Sequence, residues 1–160
     1  MAAPVLYNSP KSRGGEGPGA KAQTILDTAY RKWSFRFSPD GQYVVYVSNE
    51  AGPSEVYVAS FPSFAVKKKV STGGGQYPAW GESGKEVFYH GSDGSLTSAQ
   101  IRTSPNLVVD APKPLFKLGI GPYGNGFAVS ADGQRFLINE FDQTDESKIT
   151  LVLNWAADIR

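Results

Sequence analysis

The residues able to do chemistry are few. Cysteine is absent and histidine occurs once, at His90. Disulfides, thiolate zinc sites, a cysteine nucleophile and a two-histidine metal centre are therefore excluded. An imidazole titrates near neutrality, so His90 suits acid–base work; a lone histidine at the end of an apolar run equally suits a surface or hydrogen-bonded position. Asp142, Asp145 and Glu146 could gather a calcium ion, but they lack EF-hand spacing and no glycine lies among them, so a solvated acidic loop is expected. Gly73-Gly74-Gly75 could cradle a phosphate, yet no Lys-Ser/Thr pair follows, and the stretch reads as a loop. Gly81-Glu82-Ser83-Gly84 has the wrong spacing for a nucleophile elbow. Asp40-Gly41 and Asp93-Gly94 read as turns. No zincin or nucleotide fingerprint occurs, so no metal and no cofactor is expected.

The elements that must position these residues are announced by composition. At 160 residues the chain suits one domain. Gly 18 and Pro 11 make about 18% of it, above a background of about 12%, so many turns are expected. Lys+Arg 16 against Asp+Glu 15 leaves a net charge of +1. That balance argues against a nucleic-acid footprint and against an acidic solvating tail. No run approaches the roughly 18 apolar residues of a membrane span, and the start lacks the charged and apolar regions of a secretory signal. The missing cysteines suit bacterial cytoplasm and periplasm alike, so the compartment is open.

Residues 1–22 read as a flexible leader. Gly14, Gly15, Gly17, Pro18 and Gly19 crowd it, and it has no apolar periodicity with which to offset ordering entropy. A structured arm on a partner is the other reading. From Thr24 onward the pattern is short β runs between turn residues, clearest at Tyr43-Val44-Val45-Tyr46-Val47. Three units share one plan: an apolar residue, a turn ending in Gly, a polar residue, then an apolar strand. Their glycines, Gly41, Gly84 and Gly133, lie 43 and 49 residues apart. Asp or Ser accepts a local backbone bond there, and Gly takes the positive φ that closes a tight hairpin.

A period in the forties with four strands per unit is the mark of a propeller blade. The run Phe37-Ser38-Pro39-Asp40-Gly41-Gln42-Tyr43-Val44-Val45-Tyr46-Val47-Ser48, followed by Glu55-Val56-Tyr57-Val58, resembles the TolB-type, WD-like β-propeller repeat. Ser71–Trp80 and Ile149–Trp155 are similar to the C-terminal blades of large bacterial propeller proteins, some of which carry a kinase or peptidase elsewhere. The resemblance covers roughly residues 24–156. The second unit lacks the Pro-Asp pair and the third lacks the Pro. The fold expected is all-β.

Labelling the strands of a blade A to D from axis to rim, strands are expected at 24–30, 35–38, 43–48, 55–61, 67–71, 77–81, 86–90, 96–102, 114–118, 126–130, 135–140 and 149–154. They read D, ABCD, ABCD, ABC: three blades over residues 23–160, with one outer strand displaced to the start. Three blades cannot close a ring, because closed rings begin at about four. Two copies would give six, each N-terminal strand completing the other's last blade. The competing reading is the C-terminal half of a longer propeller.

The resemblance also implies a ligand face, where D–A and B–C loops gather round the central channel. Arg31, Lys32, Trp33, Gln76, Tyr77, Tyr123 and Asn125 fall in the first set and His90 in the second. Arg31, Trp33, Tyr77, His90, Tyr123 and Asn125 are the candidate binding residues, suited to stacking and hydrogen bonding with a peptide, protein or carbohydrate. Alternatively Trp33 and Tyr77 pack between blades while Arg31 and Lys32 are solvated. A non-catalytic scaffold or binding module is the expected function. A propeller hydrolase or lyase acting on a carbohydrate or peptide is the alternative, as is a fragment of a larger kinase- or peptidase-linked protein. Inner strands without Asp or Glu favour the non-catalytic readings.

Overall fold

A computed structural model of the chain describes the backbone of residues 5–8, 21–24, 27–118, 127–141 and 147–153, and the side chains of 27–118 and 127–139. Among these residues there are strands and no helix. At the N-terminal end β1 (Val5–Asn8) pairs antiparallel with β2 (Lys21–Thr24). Both strands fall largely within the stretch that composition reads as a leader. The strand expected over 24–30 differs: β2 ends at Thr24, and residues 27–30 are not extended.

Three sheets follow, each wound in chain order. The first is β3 (Lys32–Phe37), β4 (Tyr43–Ser48), β5 (Glu55–Ser60) and β6 (Lys67–Lys69). The second is β7 (Gly75–Trp80), β8 (Glu86–Gly91) and β9 (Ser95–Arg102), with β10 (Val108–Val109) and β11 (Lys113–Lys117) both paired to β9. β10 takes Ile101 and Arg102, and β11 takes Ser95 to Ser98, so the outer strand is split around Asp110-Ala111-Pro112. The third is β12 (Phe127–Val129), β13 (Arg135–Phe141) and β14 (Ser147–Leu153). Among the described residues nothing pairs with the outer edge of β14.

The repeated turn forms three times with one geometry. The Gly41, Gly84 and Gly133 amides donate to the carbonyls of Ser38, Gly81 and Ser130 at 2.9, 3.0 and 2.9 Å. All three glycines hold positive φ, between 66° and 70°. In the first and third copies an Asp carboxylate accepts the next backbone N–H, from Gln42 and Gln134, at 3.0 Å. The second copy has no such Asp, and there the Ser83 hydroxyl oxygen accepts the Lys85 N–H at 3.3 Å instead.

The unbroken apolar run of β4 reflects burial on both faces rather than the alternation of a half-exposed strand. Val45, Val47, Val56 and Val58 pack against Val87, Tyr89, Ala99 and Ile101 between the first and second sheets. Phe88 and Leu96, on the opposite face of the second sheet, meet Phe136 and Ile138 of the third. The Phe88 and Phe136 rings cross edge-on at 5.0 Å, a favoured aromatic geometry. A further cluster joins Val44, Tyr46, Tyr57 and Ala59 with Phe35, Phe61 and Phe64 on the outward face of the first sheet. Side-by-side sheets whose inner strands approach one another are the layout of propeller blades.

Candidate functional site at the inner strands

The loops of one end of the sheets are tied together. The Arg31 amide donates to Asn49 Oδ1 at 2.9 Å, joining the entry to β3 with the β4–β5 loop. The Gly75 amide donates to the Ser54 carbonyl at 2.8 Å, joining that loop to the entry of β7. Glu55, buried at the start of β5, accepts the Gly74 amide at 3.0 Å and the Ser71 hydroxyl. Ser92, in the β8–β9 turn, donates its hydroxyl to the Gly73 carbonyl. The triglycine stretch is thus an anchored loop. A Cβ on Gly74 would lie 2.9 Å from Ser92 Cβ, so side chains are excluded by close approach.

These loops frame a cleft of about 350 Å³ lined by Thr72, Gly73, Ser92, Asp93, Thr97 and Pro112 among others. Its polar groups largely satisfy each other. Asp93 accepts the Ser95 amide at 3.0 Å and its hydroxyl, while Lys117 Nζ lies 3.0 Å from Oδ2. Those bonds, the Ser95 hydroxyl first and Lys117 next, hold the Asp93 carboxyl well below the usual carboxylate range. On the opposite end, a cleft of about 370 Å³ lies between the β7–β8 and β12–β13 turns, with Glu82, Glu86 and Asp132 on its walls.

A third cleft, about 70 Å³, sits where the three inner strands meet. Ser34 and Arg36 of β3, Tyr77, Pro78 and Ala79 of β7 and Phe127 of β12 line it. In both complete sheets the innermost pair of strands is irregular here. The β3–β4 register shifts between Trp33 and Arg36, and the β7–β8 register between Gln76 and Ala79. Ser34 (φ 55°) and Tyr77 (φ 52°) occupy the left-handed region at equivalent places of the two shifts.

The candidate residues are distributed as follows. Arg31 is exposed, with its guanidinium 5.8 Å from the Trp33 ring centre, a cation–π distance. Trp33 is half-buried against the core between the first two sheets, so it packs as well as stacks. Tyr77 is half-buried on the wall of the 70 Å³ cleft. His90 pairs in register with Gln76, next to Tyr77 on β7. Burial pushes its imidazole below the ordinary value, with Asp93 opposing. Tyr123 and Asn125 lie outside the described residues, as do Asp142, Asp145 and Glu146. Sequence reasoning missed Ser34, Arg36 and Glu55. For Arg36 a signal existed: it is a cation on an inner strand whose neighbours, β7 and β12, contain no acidic residue. For Ser34 the signal was the offset of 43 residues that equates it with Tyr77.

Chemically the arrangement offers hydrogen-bond donors, one guanidinium and aromatic faces, and no pair of carboxylates on the described inner strands.

No protein-family model matches the chain, and no curated protein matches it by sequence. Solved structures do match by shape. A protein assigned as TolB from Agrobacterium tumefaciens superposes with a TM-score of 0.57 at 14% identity, over 87% of this chain and 50% of the other. An oligogalacturonate lyase solved with manganese gives 0.59 at 13% identity, over 91% and 40%. A protein assigned as a 6-phosphogluconolactonase from Bacteroides uniformis gives 0.56 at 12% identity, over 93% and 48%. The chain therefore spans between 40 and 50% of the length of these three structures. At such identities the likeness concerns the backbone alone. With all-antiparallel sheets wound in chain order, inner strands converging on one cleft, and neighbours of this one architecture, the chain has the TolB-like β-propeller fold.

Proposed function

We propose that the chain is a non-catalytic scaffold or binding module whose body, residues 23–160, supplies three blades. It assembles as a strand-exchanged homodimer with a six-bladed ring, and takes a peptide, protein or carbohydrate at the channel face. The observation that carries this reading is the third sheet: β12, β13 and β14 with an outer edge that no described residue pairs. An open edge on an apolar strand recruits another strand. The sheet's outward side adds to the demand for cover. Leu137 is 47% exposed there, and the register sets Leu151 opposite it. The N-terminal segment of a second copy is the strand at hand.

A propeller enzyme acting on a carbohydrate is the second reading, suggested by the lyase and lactonase among the structural neighbours. Against it stands the lack of Asp and Glu on β3, β7 and β12. The half-length match suits half of a dimeric ring and half of a longer chain alike. Light scattering separates them. The full chain should show twice its 17.2 kDa mass, and a version lacking residues 1–30 should lose the dimer or aggregate. A soluble monomer at micromolar concentration refutes the dimer.

A further inference from the structure

We infer that the cleft where β3, β7 and β12 meet is a carboxylate-binding pocket anchored by the Arg36 guanidinium. The inference deepens the channel-face reading and takes the ligand's location from it, but it does not need the dimer.

A guanidinium carries five N–H donors in a planar fork. Arg36 uses Nη1 on the neighbouring Phe35 carbonyl at 2.9 Å. Among the described residues no carboxylate pairs with it, although five other cation–carboxylate pairs form elsewhere. The three strands around the cleft contribute no acidic residue, so nothing on them neutralises the charge. The side chain is exposed and its remaining donors are open to solvent or ligand. The other walls, Pro78, Ala79 and Phe127, are apolar and would strengthen a charge-assisted bond formed against them.

The backbone points the same way. Ser34 and Tyr77 line the cleft from two strands, both with φ near +55°. That conformation costs a side-chain-bearing residue about 1–2 kcal/mol, and such strain concentrates at ligand sites. The chain holds it twice at the same blade position, whereas Gly126, the residue at the corresponding place of the third repeat, could adopt it without cost.

Size and donor set choose the ligand class. The space, about 70 Å³, is the smallest of the three clefts described and suits a small polar group. The planar fork of a single arginine matches a carboxylate in bidentate fashion. A phosphate dianion would call for a second cation or a cluster of backbone N–H groups. Pro78, on the wall, has no N–H to give. The body of the ligand would project into the channel.

The test titrates two acids into the full chain at fixed ionic strength, following backbone amides by NMR. Propionate represents a free small acid and N-acetyl-dialanine a peptide carboxyl end; propionamide and N-acetyl-dialanine amide are their neutral controls. One acid should saturate on the order of millimolar concentration, with shifts at Ser34, Arg36 and Tyr77, and its amide should not. Arg36→Gln should weaken that binding about tenfold or more, and Arg36→Lys should retain part of it. If Arg36→Gln fails to fold, Ser34→Ala and the amide controls carry the comparison. Saturation by neither acid, equal binding of acid and amide, or unchanged affinity in Arg36→Gln overturns the inference. Equal binding of acid and amide with shifts on the same strands would leave the channel-face reading standing.

Discussion

Removing the Glu55 carboxylate should loosen the loop that leads into β7. The side chain is 5% exposed and holds two strands' worth of connections. It accepts the Gly74 amide at 3.0 Å and the Ser71 hydroxyl, and Lys69 Nζ lies 3.2 Å away. The Ser71 oxygen in turn accepts the Val56 amide at 2.8 Å, so the hydroxyl is fixed from both sides. Glu55→Ala leaves the buried Gly74 N–H and the Ser71 O–H without their acceptor, at about 1–3 kcal/mol each. Lys69 is half-exposed and its loss adds about 0–1 kcal/mol. The mutant is also relieved of desolvating a carboxylate, which offsets part of the sum. A net loss of about 2–4 kcal/mol remains, roughly 5–15 °C in Tm for a chain of this length. Melts at one protein concentration, with urea titrations to confirm an unchanged slope, read it directly. Glu55→Gln keeps the shape and one acceptor and should recover about half of the loss. Amide exchange at Gly74 and Gly75 should accelerate in the Ala variant, because local opening becomes easier. A loss below about 0.5 kcal/mol, with Gly74 exchange unchanged, would refute the anchoring role.

Gly75→Ala should cost about 1–3 kcal/mol by overpacking, since its Cβ would lie 2.8 Å from Ser71 Cβ and 2.9 Å from Tyr89 Cδ2; an unshifted urea midpoint would show that the neighbours yield. His90 is the single imidazole, so one NMR titration reports it, and burial should place its midpoint below the usual value of about 6.5. Its contribution to stability is then complete above that value and declines as pH falls toward the folded pKa, so His90→Gln should flatten the stability profile between about pH 7 and 5. A midpoint at or above 6.5 contradicts the burial.

What the sequence disclosed was local. Gly41 and Gly133 could be placed because Asp40 and Asp132 bond the amides two residues on, and strand limits near them agree within a few residues. The shape matches to known propellers accord with the repeat. Distant dependencies stayed hidden. Glu55 acts on Gly74, 19 residues away, and nothing in its type separates it from a surface glutamate. The backbone twist at Ser34 and Tyr77 is imposed by the sheet; serine and tyrosine do not favour positive φ, so composition gave no hint. The split of the outer strand into β10 and β11 follows from Pro112 and Pro114 beside a short apolar pair, too weak a pattern to resolve in advance.

These two kinds of information divide the blade between framework and site. Val56 and Val58 are wholly buried, and their counterparts 43 residues on, Ala99 and Ile101, are buried too and differ only in size, because contact between sheets tolerates modest apolar exchange. The register shift is different. Its residue is Ser34 in one unit and Tyr77 in the next, two side chains with nothing in common except their place beside the inner-strand cleft, and the sequence equivalent in the third unit is Gly126. A position that kept glycine throughout would read as a backbone requirement. One that carries strained serine and tyrosine instead holds side chains where glycine would have been easier. Such positions are where a repeated scaffold differentiates its blades, and Arg36, two residues beyond Ser34, belongs to the same stretch of variation.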